Sequence, residues 1–170
     1  GWLDSEREPQ YPQAVENQWR EGGTPFSKLV EGAGSGKRSD SHPTATMRAA
    51  RIHSYGDPTG VKIVQAPRPE PGRGQVLIRV KAAGVNPLDW MVAEGKARSG
   101  LDHRLPLTLG CELAGTVEKL GADVGRFKPG DEVFGMIDLS GDGADAEFAV
   151  ADEKTLAIKP RSLDFPGAAA

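Results

Sequence analysis

The sequence predicts a mainly β domain with short helices, arranged as a barrel or a sandwich. The first observation is a series of short apolar segments between residues 47 and 160, several of which alternate with polar residues. The second is the punctuation between these segments, because the chain of 170 residues contains 22 Gly and 13 Pro. Such a density of turn-forming residues favours short strands joined by turns over a helical bundle.

The strand signal is most regular at residues 75–85. One side of an extended chain would carry Val76, Ile78, Val80 and Ala82, and the other Gln75, Arg79 and Lys81, with Leu77 as the exception. A period of two predicts one buried and one solvent-facing side. Further strands are expected at residues 49–53, 61–66, 109–120, 132–137, 146–150 and 155–158. A short helix is expected at residues 88–94, with Pro87 in its first turn.

Residues 1–46 differ from the rest of the chain in composition and are predicted to be a flexible segment or linker. They are polar, and residues 31–46 have almost nothing to bury. A docking segment that uses Trp2, Tyr11 and Trp19 is the alternative. A phosphate-binding loop is excluded at residues 34–38, because Glu31 and Arg38 stand where the motif needs Gly and Ser or Thr.

The composition of the chain limits which binding partners and which cellular compartment we expect for the protein. A formal net charge of −3 gives no electrostatic reason to expect nucleic acid or an anionic membrane as a partner. No apolar run approaches the roughly 20 residues of a membrane helix, and the N-terminus does not resemble a signal peptide. The single cysteine, Cys111, cannot form an intrachain disulfide. We therefore expect a cytoplasmic protein.

The residues give little support for a catalytic metal. A catalytic zinc needs three protein ligands, usually Cys, His or carboxylate side chains. The three histidines show no ligand spacing, and Asn86-Pro87 offers no thiolate. Only Cys111 and Glu112 remain as plausible ligands. No zinc is expected, and Cys111 is expected to be a small buried apolar residue, with Glu112 as a structural carboxylate tied to backbone amides.

Several segments, taken in order and with their spacing, resemble the N-terminal GroES-like domain of the medium-chain dehydrogenase/reductase superfamily. They lie at residues 47–52, 67–80, 82–90, 109–117, 127–135 and 146–150. One of them looks most like the quinone and enone reductase branch, namely Asn86-Pro87-Leu88-Asp89-Trp90. Zinc-dependent members carry Cys at or beside Asn86 and His at Cys111, so the resemblance also disfavours a zinc alcohol dehydrogenase.

This resemblance implies a GroES-like, partly open β-barrel over residues 47–165. In the family a Rossmann domain follows, which binds most of the nicotinamide cofactor. Residues 166–170 are expected to be the start of that domain, and the rest of the domain is expected to be absent from this chain. The active site of the family lies in the cleft between the two domains.

The function implied by the resemblance is zinc-independent reduction of a quinone or an α,β-unsaturated carbonyl with NADPH or NADH. The substrate would be a small molecule, the full-length protein is a candidate homodimer, and the fragment alone is expected to be inactive. The alternative is a non-catalytic GroES-like module that serves binding or structure.

The resemblance also suggests site residues in the segment after the best strand. Asn86 is the candidate catalytic residue and would lie near the nicotinamide ribose and the substrate, where its amide can donate and accept hydrogen bonds. Asp89 would either hold this loop or contact the cofactor. Trp90 and Met91 are candidates for the substrate pocket, with a place in the core as the alternative for Trp90. Asn and Asp here also suit a plain helix start, and the Tyr that some quinone reductases carry nearby is absent.

Overall fold

The computed structural model describes residues 45–97, 103–138 and 140–170. Within them lie eight strands, namely β1 (Thr46–Ile52), β2 (Lys62–Pro67), β3 (Gln75–Gly84), β4 (Leu107–Thr108), β5 (Glu112–Leu120), β6 (Glu132–Met136), β7 (Phe148–Asp152) and β8 (Leu156–Ile158). The helices are α1 (Pro87–Ala93) and α2 (Phe165–Ala168), with 3₁₀ turns at Pro58–Gly60 and Glu153–Thr155. The predicted mainly β fold with short helices is confirmed.

The strands form two antiparallel sheets. A three-stranded sheet has the order β2-β1-β4, and a five-stranded sheet has the order β7-β3-β5-β6-β8. One isolated bridge, between Ala49 and Ala146, joins the first sheet to the loop that leads into β7. The two sheets are therefore open, which agrees with a partly open GroES-like architecture and not with a fully closed barrel.

Strand β3 is buried on both sides at its start, so the prediction of one solvent-facing side is wrong there. Val76 and Ile78 belong to the main core together with Leu113 and Val133 of the neighbouring strands. Leu77 points the other way, into a second cluster that contains Met47, Ala49, Ala66, Ala146 and Phe148. The three-stranded sheet covers this side of β3, which explains why Leu77 broke the alternation. Arg79 is exposed, as the alternation predicts.

The N-terminal edge of the sheets lies close to the predicted domain boundary. Strand β1 begins at Thr46, opposite Pro67, and the carbonyl oxygen of Ala45 accepts a hydrogen bond from the Arg68 amide at 2.7 Å. The two predictions for the segment before it, a linker or a docking segment, fall on residues 1–44, which lie outside the described residues. In the described parts of the chain, no helix is long and apolar enough to cross a membrane.

Lys159 ties the last segment of the chain to the five-stranded sheet. The residue is 7% exposed. Its Nζ donates to the Leu163 carbonyl oxygen at 2.6 Å and lies 3.1 Å from Glu132 Oε2 on β6. The same ammonium lies 5.2 Å from the centroid of the Phe165 ring on α2. One buried cation therefore holds β6, the 159–164 turn and α2 together.

We expect Lys159→Met to lower the free energy of unfolding by about 1–3 kcal/mol, because it removes the charge-assisted hydrogen bond of a buried ammonium to the Leu163 carbonyl oxygen and its ion pair with Glu132. Urea unfolding of the variant and the parent chain measures this difference. Lys128→Met is the matched control, since the Lys128 side chain is 81% exposed and pairs with Asp131 in a turn. Equal losses in the two variants would contradict the anchoring role of Lys159.

Candidate functional site

At one end of the five-stranded sheet, the terminal residues of three neighbouring strands lie opposite one another in a row. Gly84 on β3 lies opposite Glu112 on β5, and Glu112 lies opposite Met136 on β6. Residues directly opposite each other in an antiparallel pair point to the same face of the sheet. This row therefore places a carboxylate between a glycine and a methionine, and Met136 is 49% exposed.

Gly84 makes room for the groups above it. A Cβ at this position would lie 2.9 Å from Glu112 Oε2 and 2.4 Å from the carbonyl oxygen of Ala169. Any side chain at residue 84 would displace one or both groups. The same sheet face carries the small residues Ala82 and Ala114, on which the end of α2 packs. The small side chains thus let α2 approach the sheet while the Glu112 carboxylate stays beside it.

Asn86 stands at the edge of this row, at the N-cap of α1. Its backbone is extended, with φ −120° and ψ 154°, and Pro87 starts the helix. Its Nδ2 donates to Glu112 Oε2 at 2.7 Å, and its backbone N–H donates to Asp89 Oδ2 at 2.7 Å. The half-buried Asn86 is therefore held at both its side chain and its main chain.

Asp89 joins the start of α1 to the turn between β4 and β5. The residue is 3% exposed, and its Oδ1 accepts the Gly110 N–H at 3.1 Å. Burial raises the pKa of this carboxyl, the amides of Asn86 and Gly110 oppose that rise, and the charge of Glu112 adds to it. The structure thus shows Asp89 holding the loop, which was one of its two predicted roles. Its contact with a cofactor stays a prediction. The structure does not favour this contact, because both carboxylate oxygens of the buried Asp89 already accept backbone amides.

The turn at Gly110 brings a third acidic residue to the cluster. Gly110 has φ +93°, which interrupts the strand predicted over residues 109–120. A Cβ there would lie 2.6 Å from Asp145 Oδ1, so only glycine fits. Burial, followed by the charge of Asp89, raises the pKa of the half-buried Asp145 to about 7. Sequence reasoning missed Asp145, because it stands in a Gly- and Asp-rich segment that reads as an ordinary loop.

Cys111 lies beside these carboxyl groups but is buried, with 2% of its surface exposed. Burial and then the charges of Asp89 and Glu112 raise the pKa of the thiol to about 11. The thiol is therefore protonated at neutral pH. Among residues 45–97, 103–138 and 140–170, no group of three or more His, Cys, Asp or Glu side chains is arranged to hold a metal ion.

We expect Cys111 to react slowly with iodoacetamide at pH 8, since the thiolate is the nucleophile and burial suppresses both ionisation and access. Mass spectrometry follows the labelling of this single cysteine. The same chain in urea provides the control and should be labelled quickly. Complete labelling of the folded chain on the timescale of the unfolded one would contradict the burial of the thiol.

Trp90 and Met91 are both half-buried on α1. The apolar cluster beneath this helix contains Ile52, Val92, Ala93, Leu107 and Leu109, with Leu88 at its margin. Trp90 and Met91 do not belong to that cluster, and the Lys96 ammonium lies 5.3 Å from the Trp90 ring centroid. Their place in a substrate pocket stays a prediction.

Two residues of the row were not predicted in these positions. Glu112 was expected to bind backbone amides, whereas its partner is the Asn86 side chain. Met136 was not singled out, because only the strand register places it beside Glu112. Met136 and Val85, which is 60% exposed, form the apolar margin of the site. An amide, a carboxylate and two open apolar side chains can together hold a hydroxyl-bearing ligand with a flat apolar part.

Comparison with known proteins places this site in a family. The alcohol dehydrogenase GroES-like domain family matches residues 72–161. A chloroplastic quinone oxidoreductase of Triphysaria versicolor is 41% identical over 115 residues, which is 67% of this chain and 35% of that protein. The solved quinone oxidoreductase of Coxiella burnetii aligns with a TM-score of 0.70 and 34% identity, over 74% of this chain and 40% of its own.

A zinc-containing relative is similar too. The cobalt- and zinc-bound alcohol dehydrogenase of Pyrobaculum aerophilum aligns with a TM-score of 0.65 and 33% identity, over 74% of this chain and 44% of its own. The chain thus spans well under half the length of these relatives. It belongs to the alcohol dehydrogenase GroES-like domain family, as the N-terminal portion of a quinone-oxidoreductase-like member of the medium-chain dehydrogenase/reductase superfamily.

Proposed function

We propose that this chain is the N-terminal, substrate-facing part of a zinc-independent oxidoreductase that uses NADPH or NADH to reduce a quinone or an α,β-unsaturated carbonyl. The observation that carries the proposal is the Asn86 side-chain amide, held by Glu112 at an end of the sheet whose margin is apolar and exposed. The quinone oxidoreductases among its relatives support the same reaction class.

The residues at this end fit a nicotinamide cofactor and a flat substrate. When bound, the cofactor supplies the hydride, and the protein orients the reactants. Asn86 has one Nδ2 hydrogen on Glu112, and its side-chain oxygen faces the Asp89 backbone amide in the capping box at the start of α1, so the second lone pair of Oδ1 can accept a ligand hydroxyl. Val85 and Met136 offer apolar surface that would exclude water beside a ring. A Rossmann domain outside these 170 residues would hold the rest of the cofactor.

Zinc independence rests on the chemistry of the donors. Zinc binds thiolate, imidazole or carboxylate groups. Residue 86 is an asparagine, which offers none of these groups, and Cys111 is buried, with 2% of its surface exposed. Since a zinc-bound relative shares the fold, the proposal of zinc independence rests on these side chains and not on the fold.

The test is steady-state kinetics on the protein that carries this chain. NADPH and NADH are each offered with a panel of quinones and enones, and NADP⁺ and NAD⁺ with a panel of alcohols. We expect oxidation of a reduced cofactor by at least one quinone or enone, and none by the 170-residue chain alone. A folded protein without turnover on either panel would favour the non-catalytic binding module, and alcohol oxidation with one bound zinc would favour the zinc enzyme.

Location and assembly are part of the same proposal. We propose a cytoplasmic protein that assembles as a homodimer, with a small molecule as its substrate. Cell fractionation and light scattering of the protein that carries this chain test the two points separately. Recovery of the protein in an organelle would contradict the cytoplasmic location, and a monomer at working concentration would contradict the homodimer. Neither result would bear on the proposed reaction.

A further inference from the structure

We propose that Glu112 is a positioning residue, which acts by fixing the Asn86 side-chain amide so that Oδ1 is presented to the ligand as an acceptor for a hydroxyl group. This inference rests on the proposed function and adds to it a second residue of the same site. The contact that motivates it is the hydrogen bond from Asn86 Nδ2 to Glu112 Oε2 at 2.7 Å.

An asparagine amide has two ends of nearly the same shape, one that donates and one that accepts. If the amide turned over, Oδ1 would face a carboxylate oxygen at 2.7 Å, and two acceptors would then oppose each other without a proton between them. Asp89 holds the Asn86 main chain in place, so the side chain has little freedom to move away. Glu112 therefore selects one of the two amide orientations.

The carboxylate itself is held in place by its surroundings. Gly84, opposite Glu112 on β3, leaves the space that Oε2 occupies, since a Cβ there would lie 2.9 Å away. Glu112 is half-buried, and it belongs to a strand paired on both sides. The orientation of Asn86 is thus set by the sheet and not by a mobile loop.

The sign of the charge indicates what the pair receives. A carboxylate next to Nδ2 disfavours a developing negative charge on a nearby substrate oxygen. A neutral hydroxyl donor, by contrast, is favoured at Oδ1. We infer that Asn86 and Glu112 orient a hydroxyl group, either on the cofactor ribose or on the substrate, and do not serve as an oxyanion hole.

Kinetics of single and double variants test this in the protein that carries this chain. We expect Glu112→Ala to lower kcat/KM by about tenfold or more, as is typical when a residue that orients a functional group is removed. Glu112→Gln should restore only part of the loss, because its Oε1 can still accept from Asn86, but its NH2 group can also donate to Oδ1 and so admits the other amide orientation. Glu70→Ala is the matched control, since the Glu70 side chain is 70% exposed and should leave the kinetics unchanged.

The double variant separates positioning from a structural role. If Glu112 acts through Asn86, then Glu112→Ala should have no further effect in an Asn86→Ala background. Losses that multiply would overturn the proposal. A rise in the KM of the cofactor for every substrate would assign the hydroxyl to the ribose, and an effect confined to certain electron acceptors would assign it to the substrate.

A second readout does not depend on turnover. In ¹H–¹⁵N spectra, the Asn86 side-chain amide of the parent protein should be shifted by its carboxylate partner and should move in Glu112→Ala. If the parent protein has no activity, the proposed function fails while this signal still decides the contact. An Asn86 amide signal that is unchanged in Glu112→Ala would overturn the proposal even in an active enzyme.

Discussion

Asp145→Asn should make the folded chain more stable than the parent chain above pH 7. The parent chain loses stability between about pH 4 and pH 7 as Asp145 ionises, and the variant should not show this loss. Burial and the charge of Asp89 raise the pKa of Asp145 from 3.8 to about 7 in the folded state. The folded state therefore holds this proton more tightly than the unfolded chain does. The stabilisation is fully present below about pH 4 and is lost as the pH rises through about 7.

The size of this effect follows from the shift. A rise of about three pKa units corresponds to a difference of up to about 4 kcal/mol between low and high pH. Asn has nearly the same shape as Asp but cannot ionise, so its variant should lack this part of the pH dependence. Urea unfolding of both chains from pH 4 to pH 8 measures the free energy of unfolding directly.

Asp123→Asn provides the control for the pH profile, because the Asp123 side chain is 59% exposed and pairs with Arg73 at the surface. A surface pair of this kind contributes little. The control should follow the parent profile within error. Identical profiles for Asp145→Asn and the parent would show that Asp145 ionises normally, and would contradict the acidic cluster around Gly110.

Asp89→Ala should destabilise the chain by about 2–4 kcal/mol, because it leaves two backbone amides without an acceptor at a site that is 3% exposed. The amides are those of Asn86 and Gly110, at 2.7 and 3.1 Å from the carboxylate. Beyond the global loss, we expect faster hydrogen exchange at these two amides. Exchange read by NMR locates the effect, and urea unfolding gives its size.

Asp131→Ala is the matched control for Asp89→Ala. Asp131 also accepts a backbone amide, that of Lys128 at 2.9 Å, but it is only half-buried and its donor residue Lys128 is exposed, so water can replace the lost acceptor. Its cost should stay near 1 kcal/mol or below. If Asp89→Ala cost no more than this control, Asp89 would not be the link between α1 and the Gly110 turn.

Much of the fold could be predicted from local patterns. The alternation from Gln75 onward located β3, and the proline and glycine punctuation separated the other strands. What the patterns did not contain was the second sheet over Leu77, because burial on that side depends on pairing between β1 and β2. The Gly110 turn was likewise absorbed into one long strand, since a glycine inside an apolar run shows nothing about its φ.

The candidate site was predictable only in part. Asn86 and Asp89 were named from a segment of five residues, and the structure places both at the N-terminus of α1. Glu112 and Asp145 come within reach of that segment only through the strand register and the Gly110 turn, across 26 and 56 positions of sequence. Contacts of this range depend on tertiary structure, and no spacing rule in the sequence predicts them.

The most direct test of a metal-free site centred on Asn86 is turnover after metal removal. The protein that carries this chain is dialysed against a strong chelator, its zinc content is measured, and its reduction of a responsive quinone or enone is compared before and after. We expect substoichiometric zinc and an unchanged rate, with the activity lost in Asn86→Ala. One zinc per chain, together with activity that disappears with the metal and returns when zinc is restored, would contradict the proposed chemistry.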